Sequence, residues 1–137
     1  MDIVTYDLGA LQILKKYLAS TELIVLLFTN DIVPTPDDTI LSLAEATGGG
    51  YARKVLAPSG WVCSIDADGI PQGRHTQQNF TFNGQLAGNP AVYGYCLIDS
   101  DNIAIYAQRS PESYSPALDG DAVLIVPTYR LSNGTPT

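Results

Sequence analysis

Near its beginning the chain carries the hydrophobic repeat of an amphipathic helix. Leucines recur at spacings of three and four residues, at Leu8, Leu11, Leu14 and Leu18. This spacing places one apolar stripe on a helix over residues 7–19, with Asp7 as its N-cap and Lys15 and Lys16 in its last turn. Such a helix packs on a sheet of the same chain or docks on a partner, and the pattern leaves both alternatives open.

Beyond residue 22 the pattern changes to that of β-strands. Residues 22–29 form a continuous apolar run, typical of a strand that is buried on both faces, and the predicted helix would cover one of them. Further strand-like runs lie between turn residues, at 39–46, 51–56, 60–65, 74–83, 91–99, 103–108 and 122–131. The absence of a β-α-β alternation predicts an all-β fold, an antiparallel β-sandwich of jelly-roll or immunoglobulin-like topology with one short N-terminal helix.

The pattern divides the chain into three parts. Residues 1–21 are the helical segment, residues 22–132 the β-sandwich domain and residues 133–137 a short polar tail. The length of 137 residues fits one folded domain. Within the domain we expect a loop near residues 30–38, because the prolines at positions 34 and 36 fix φ and remove backbone donors.

An excess of acidic residues limits the expected partners. The chain has 14 Asp and Glu residues against 7 Lys and Arg residues, a formal net charge of −7. This charge repels phosphate backbones and anionic lipids, so we expect neither nucleic acid nor membrane as a partner. The apolar run Leu23–Phe28 is far shorter than the roughly 20 residues of a membrane span. Because Met1 and Asp2 lack the basic character of a secretory signal, the protein is expected to be made in the cytoplasm.

Side chains that could catalyse a reaction or hold a metal are few and scattered. His75 is the only histidine, and no serine lies in a G-x-S-x-G turn. Cys63 and Cys96 are far apart in apolar runs, which favours two buried free thiols over a disulfide or a zinc site. We therefore predict no catalytic, cofactor-binding or metal-binding residues and no enzymatic activity. A small hydrolase that uses His75 and a carboxylate is the weaker alternative.

Two short strings suggest a ligand but fit turns better. The triple glycine at residues 48–50 is followed by a strand-like run, not by the Lys-Ser/Thr and helix of a phosphate-binding loop. Residues 66–69, Asp-Ala-Asp-Gly, begin like a calcium loop but are not followed by its remaining oxygen ligands and closing glutamate. Asp-Gly is a favoured turn sequence, so both strings are predicted to form turns.

Several short motifs occur in an order that carries a family resemblance. They are Leu26-Leu27-Phe28-Thr29-Asn30 leading to Pro34, Glu45-Ala46-Thr47, Gly50-Tyr51-Ala52, Leu56, Trp61, Tyr93-Gly94-Tyr95, Gly120-Asp121 and Val126-Pro127. In this order, over residues 23–131, the chain resembles small β-sandwich virion proteins of tailed bacteriophages. It departs from their pattern at Cys96, where an aromatic residue is expected, and at residues 106–108, which read Tyr-Ala-Gln in place of Trp-Ala-Glu.

The resemblance implies a structural protein of the virion that decorates or cements the capsid. Its partner would then be the major capsid protein, and it would assemble as a homo-oligomer, with a trimer favoured. The alternative is a tail or fibre-associated module that binds host glycans or another virion protein. The residues predicted to bind a partner lie in the helix, in the 30–38 loop and near the end of the chain: Leu11, Leu14, Leu18, Pro34, Pro36 and Tyr114.

Overall fold

The computed structural model describes residues 3–131, in which one helix precedes nine strands. The elements are α1 (Asp7–Ser20), β1 (Leu23–Phe28), β2 (Lys54–Leu56), β3 (Trp61–Ile65), β4 (Pro71–His75), β5 (Gln78–Asn83), β6 (Val92–Ile98), β7 (Ala104–Tyr114), β8 (Asp119–Ile125) and β9 (Thr128–Arg130). Two short 3-10 turns lie at Ile40–Ser42 and Pro58–Gly60. The predicted β-rich fold with one N-terminal helix is confirmed. The predicted tail, residues 133–137, lies outside the described residues.

The strands form three antiparallel sheets. The largest has four strands in the order β2-β1-β6-β7, the second has three in the order β3-β4-β9, and β5 pairs with β8. Inner side chains of all three sheets contribute to one main hydrophobic core. Within residues 3–131, no helix is long and apolar enough to span a membrane.

The helix packs on β3 and β4 and differs in detail from the prediction. Its buried face is formed by Ala10, Leu14 and Leu18, whereas Leu8 is exposed. Leu18 approaches closely because Gly73 on β4 has no side chain, and a Cβ there would lie 2.5 Å from Leu18 Cδ1. The predicted positions of the helix ends were wrong. The N-cap is residue 6 and the helix continues to residue 20, so that Asp7 lies in the first turn and both lysines precede the last turn.

Strand β1 is buried on both faces, as its apolar run predicts. Leu23, Val25 and Leu27 join the main core together with the helix leucines. Leu26, on the other face, belongs to a second cluster with Cys96 and Ile98. The segment after β1 covers this second cluster by a 3-10 turn, with the side chains of residues 40 and 43.

Several predicted strands differ in the structure. Within residues 39–46, a 3-10 turn at Ile40–Ser42 interrupts the expected strand, because the Thr39 and Ser42 side chains bond each other's backbone N–H groups, and Glu45 forms a single β-bridge with Phe28. Residues 74–83 are divided between β4 and β5, and 122–131 are divided between β8 and β9 at Pro127, which has no N–H to donate. Strand β7 extends through residues 110–114, beyond the predicted end at residue 108; it accommodates Pro111 because it is an edge strand.

Candidate functional site

A cleft of about 300 Å³ lies between the loop that follows β1 and strands β6 and β7. We call it the loop cleft. Both prolines that the sequence predicted to bind a partner contribute to its wall, together with small and apolar side chains of the sheet. Its lining residues are Pro34, Thr35, Pro36, Asp38, Thr39, Leu43, Cys96, Ala104, Ile105, Tyr106 and Ala107.

Asn30 fixes the two ends of this loop to each other. Its Nδ2 donates to the Ser42 carbonyl at 2.9 Å, and its Oδ1 accepts the Ala44 N–H at 2.9 Å. Beside it, the Thr29 N–H donates to the Ala44 carbonyl at 2.7 Å. The amide of Asn30 therefore replaces strand pairing where the chain leaves the sheet.

Arg109 on β7 holds the loop against the sheet. Its Nη1 donates to the Ile32 carbonyl at 3.0 Å, and it forms an ion pair with Asp31. The guanidinium also lies over the Tyr93 ring, 5.3 Å from the ring centre. Arg109 thus attaches the beginning of the loop to the sheet through contacts within the chain.

The thiol that lines the cleft is protonated at physiological pH. Cys96 is fully buried, and burial raises the pKa of its thiol to about 11. The neighbouring Tyr106 packs against the main core on the other face of the sheet, where burial raises the pKa of its hydroxyl, which contacts the Tyr95 hydroxyl at 2.8 Å and accepts the Thr128 N–H at 3.1 Å. Because a protonated thiol is a poor nucleophile, this arrangement suits the binding of a group better than a reaction with it.

The remaining residues predicted to bind a partner lie elsewhere. Leu14 and Leu18 are buried in the main core, which leaves them unavailable to a partner while α1 stays packed. Leu11 is partly buried on the same helix, and the exposed Tyr114 lies at the end of β7 opposite Val92. The structure therefore brings together Pro34 and Pro36 but separates them from the helix leucines and from Tyr114.

His75 is a buried structural group of β4. Its Nε2 lies 2.8 Å from the Ala57 carbonyl, and its Nδ1 lies 3.0 Å from the Thr76 carbonyl and 3.4 Å from the Gln78 Nε2. A neutral ring donates to one of the two carbonyls only: with the proton on Nε2 it donates to Ala57 and accepts from Gln78, and its Nδ1 then faces the Thr76 carbonyl without a bond to it. Its neighbour Trp61 contacts the imidazole edge to face.

The two cysteines are free thiols, as predicted, although Cys63 is only partly buried. Within residues 3–131, no group of three or more His, Cys, Asp or Glu side chains is placed to hold a metal ion.

A second exposed feature lies near the beginning of the described chain, mostly outside the predicted leucine stripe. Five large apolar side chains before α1 and in its first half face solvent, with exposed fractions between 61% and 93%: Ile3, Val4, Tyr6, Leu8 and Ile13. We call them the N-terminal apolar surface. Exposed apolar side chains that lie close together mark interaction sites, and these five fall within residues 3–13. The signal in the sequence was the apolar string at residues 3–6, outside the periodic helix.

The motifs that carry the family resemblance have structural roles in this chain. Glu45 accepts the Tyr51 hydroxyl proton at 2.7 Å and a bidentate pair of bonds from Arg53. The Tyr51 oxygen in turn accepts the Leu27 N–H, so this network attaches the 45–53 segment to β1.

Glycines in these motifs permit close approaches. All three residues of the triple glycine have positive φ and form turns, as predicted, and the Gly49 carbonyl accepts the Asn83 N–H. At Gly94, a Cβ would clash with the Gln108 carbonyl and would lie 2.6 Å from Phe28 Cζ. The motif residues Glu45, Tyr51 and Gly94 therefore specify how the strands pack.

Comparisons with protein-family models, curated proteins and solved structures give no significant match to the chain. The resemblance to phage virion proteins therefore stays a prediction that rests on the ordered motifs.

Proposed function

We propose that this chain is a structural protein of a tailed-phage virion that decorates or cements the capsid, and that it docks on the major capsid protein through the N-terminal apolar surface. The observation that carries the proposal is the exposure of Ile3, Val4 and Tyr6, whose exposed fractions are 93%, 68% and 82%. Burying side chains of this size contributes up to about 1.5–3 kcal/mol each. Three of them can therefore supply the affinity of a small interface.

The acidic charge is consistent with the proposed role. A net charge of −7 keeps a protein that is made in many copies soluble and away from the packaged nucleic acid. The first turn of α1 carries Asp7, beside the apolar side chains. Apolar contacts would then supply affinity, while charge limits binding to unwanted surfaces.

The proposed fold is a β-sandwich, in which one face of the four-stranded sheet packs on the other two sheets. The composition of the main core supports this arrangement. It combines Val25 and Leu97 of the four-stranded sheet with Phe80 of β5, Ile125 of β8 and Tyr129 of β9. A core shared between the inner faces of separate antiparallel sheets is the defining feature of a sandwich.

The proposal is tested by co-sedimentation of the protein with assembled capsids that lack it. The informative variant is Ile3→Ser/Val4→Ser/Tyr6→Ser, and the matched control is Val33→Ser/Leu41→Ser, which removes equally exposed apolar side chains from the rim of the loop. We expect saturable binding of the wild type and the control, and at least an about tenfold weaker affinity for the N-terminal variant. Thermal unfolding should be unchanged in both variants, because every substituted side chain faces solvent.

The opposite pattern would identify a different docking element. Loss of binding in the Val33/Leu41 variant alone would show that the capsid contacts the loop beside the loop cleft. Binding of only a few wild-type copies per particle, or of none, would refute the decoration role and favour the tail or fibre alternative.

A further inference from the structure

The edge of the three-stranded sheet at β3 is open to another strand. Among residues 3–131, β3 pairs with β4 on one side and with no strand on the other. Backbone N–H and C=O groups along the outer side therefore remain available for pairing. Val62 is 71% exposed and Ser64 is also exposed, whereas Trp61 and Cys63 pack against the main core.

Strand β3 has none of the features by which soluble proteins protect such edges. Its sequence, Trp-Val-Cys-Ser-Ile, contains neither a charged residue nor a proline. The edge strand β7 contains a proline and charged residues, and the edge strands β2 and β9 are each three residues long with one basic residue. These protecting residues are Arg109, Pro111 and Glu112 in β7, Lys54 in β2 and Arg130 in β9.

The two-stranded sheet provides a useful contrast. Strand β5 is also uncharged, but its outward side chains, Asn79 and Thr81, are polar. The Asn83 N–H donates to the Gly49 carbonyl at 2.9 Å, so the backbone at one end of this strand is already hydrogen-bonded. Its partner β8 begins with two aspartates. Among the edge strands of residues 3–131 that have five or more residues, β3 is therefore the one that exposes a large apolar side chain, Val62, and contains no charged residue.

The charges around β3 favour a second copy of the same chain. A net charge of −7 makes most surfaces of one copy repel another. Strand β3 is neutral, and next to it the exposed Arg74 lies opposite Val62. Within residues 3–131, the Arg74 guanidinium takes part in no hydrogen bond or ion pair. A neutral strand beside an unpaired cation is thus the edge at which a second acidic copy meets the least repulsion.

We propose that two copies of the chain pair β3 with β3, antiparallel, about a two-fold axis. An antiparallel strand edge is complementary to its own copy, so a single surface serves both partners. The two three-stranded sheets then become one continuous sheet. Val62 of each copy loses solvent exposure at the junction, and the unpaired backbone groups of both strands are satisfied.

This dimer would present two docking surfaces on one side. Because α1 packs on β3 and β4, a two-fold axis perpendicular to the joined sheet places both helices on the same face. Both N-terminal apolar surfaces would then face the same partner, and bivalent attachment raises apparent affinity without a new contact. This consequence rests on the proposed function, whereas the dimer itself does not.

Sedimentation equilibrium of the purified protein over a range of concentrations tests the pairing. The informative variant is Val62→Lys/Ser64→Lys, which places like charges across the strand junction. The matched control, Asn79→Lys/Thr81→Lys, makes the same change in charge at exposed positions of β5. We expect a wild-type dimer, an unchanged control, and a dissociation constant at least about tenfold higher for the β3 variant.

Hydrogen exchange provides a second measurement that does not depend on any substitution. The amides of residues 61–65 should exchange more slowly at high protein concentration, while those of residues 78–83 should not change. A wild type that stays monomeric, a trimer as the resemblance implies, or a dimer that the two variants weaken equally would each overturn the proposal. Capsid binding by a monomer would support the proposed function and still refute the dimer.

Discussion

The four-stranded and three-stranded sheets differ in how many of their faces the chain covers itself. In the first, β1 and β6 are buried on both sides, with the main core on one face and the second hydrophobic cluster on the other. In the second, α1 and the core cover one face, while Val62, Arg74 and Arg130 remain exposed on the strands. The chain thus completes one sheet with its own loop and leaves the other partly uncovered.

We expect the two sheets to have different roles: the four-stranded sheet supports the fold, and the three-stranded sheet forms the contact surface. The loop over the four-stranded sheet is attached by Asn30 and Arg109, so its apolar residues are used inside the molecule. The three-stranded sheet has a free, uncharged edge and carries the helix next to the N-terminal apolar surface. We therefore expect substitutions in the first region to change stability and substitutions in the second to change association.

The largest expected effect comes from comparing Leu27→Ala with Val62→Ala. Leu27 is fully buried in β1, so its truncation leaves a cavity and should lower the free energy of unfolding by about 3 kcal/mol. Val62 is mostly exposed, and its truncation should change stability by less than about 0.5 kcal/mol. Urea denaturation at a protein concentration low enough to keep monomers would measure both. Similar losses of unfolding free energy in the two variants would contradict the assignment of different roles to the two sheets.

A smaller loss of stability is expected from Glu45→Gln, which removes a contact of the four-stranded sheet. Unlike the loss from Leu27→Ala, it should depend on pH. The hydrogen bonds from Arg53 hold the pKa of Glu45 below its ordinary value of 4.5. A carboxyl whose pKa is lowered by folding stabilises the protein above its unfolded pKa, and this contribution is lost as the pH falls through the folded pKa.

Wild type should therefore exceed Glu45→Gln in stability by about 1 kcal/mol at neutral pH. The difference should shrink progressively below pH 4.5. Urea denaturation across this pH range measures it, with the exposed Glu112→Gln as the control. A difference that does not depend on pH would show that the Glu45 carboxylate charge contributes nothing to the attachment of the 45–53 segment.

Local signals in the sequence predicted much of the fold. The leucine spacing located α1, the apolar run located β1, and the Asp-Ala-Asp-Gly string forms a turn in which the Asp66 carboxylate accepts two backbone N–H groups and Gly69 has positive φ. The errors arose where tertiary contacts decide. The division between β4 and β5 and the extension of β7 depend on which neighbouring strands are available for pairing, and this cannot be seen in a local window.

The candidate sites were only partly predictable for a related reason. Pro34 and Pro36 were chosen as loop residues and do line the loop cleft. Leu14 and Leu18 were chosen because they form a stripe, but a stripe is the face that a helix buries against its own sheet. Residues before the helix, such as Ile3 and Tyr6, carry no helical period, so the leucine spacing did not single them out.

Hydrogen exchange of the capsid-bound protein, compared with the free protein, tests the central claim most directly. If the three-stranded side is the contact surface, binding should slow exchange in residues 3–13 and leave the loop at residues 31–43 unchanged. Residues 61–65, already paired in the proposed free dimer, should exchange slowly in both states. Slower exchange confined to residues 31–43 would contradict the account, because it would place the partner on the sheet that the chain already covers itself.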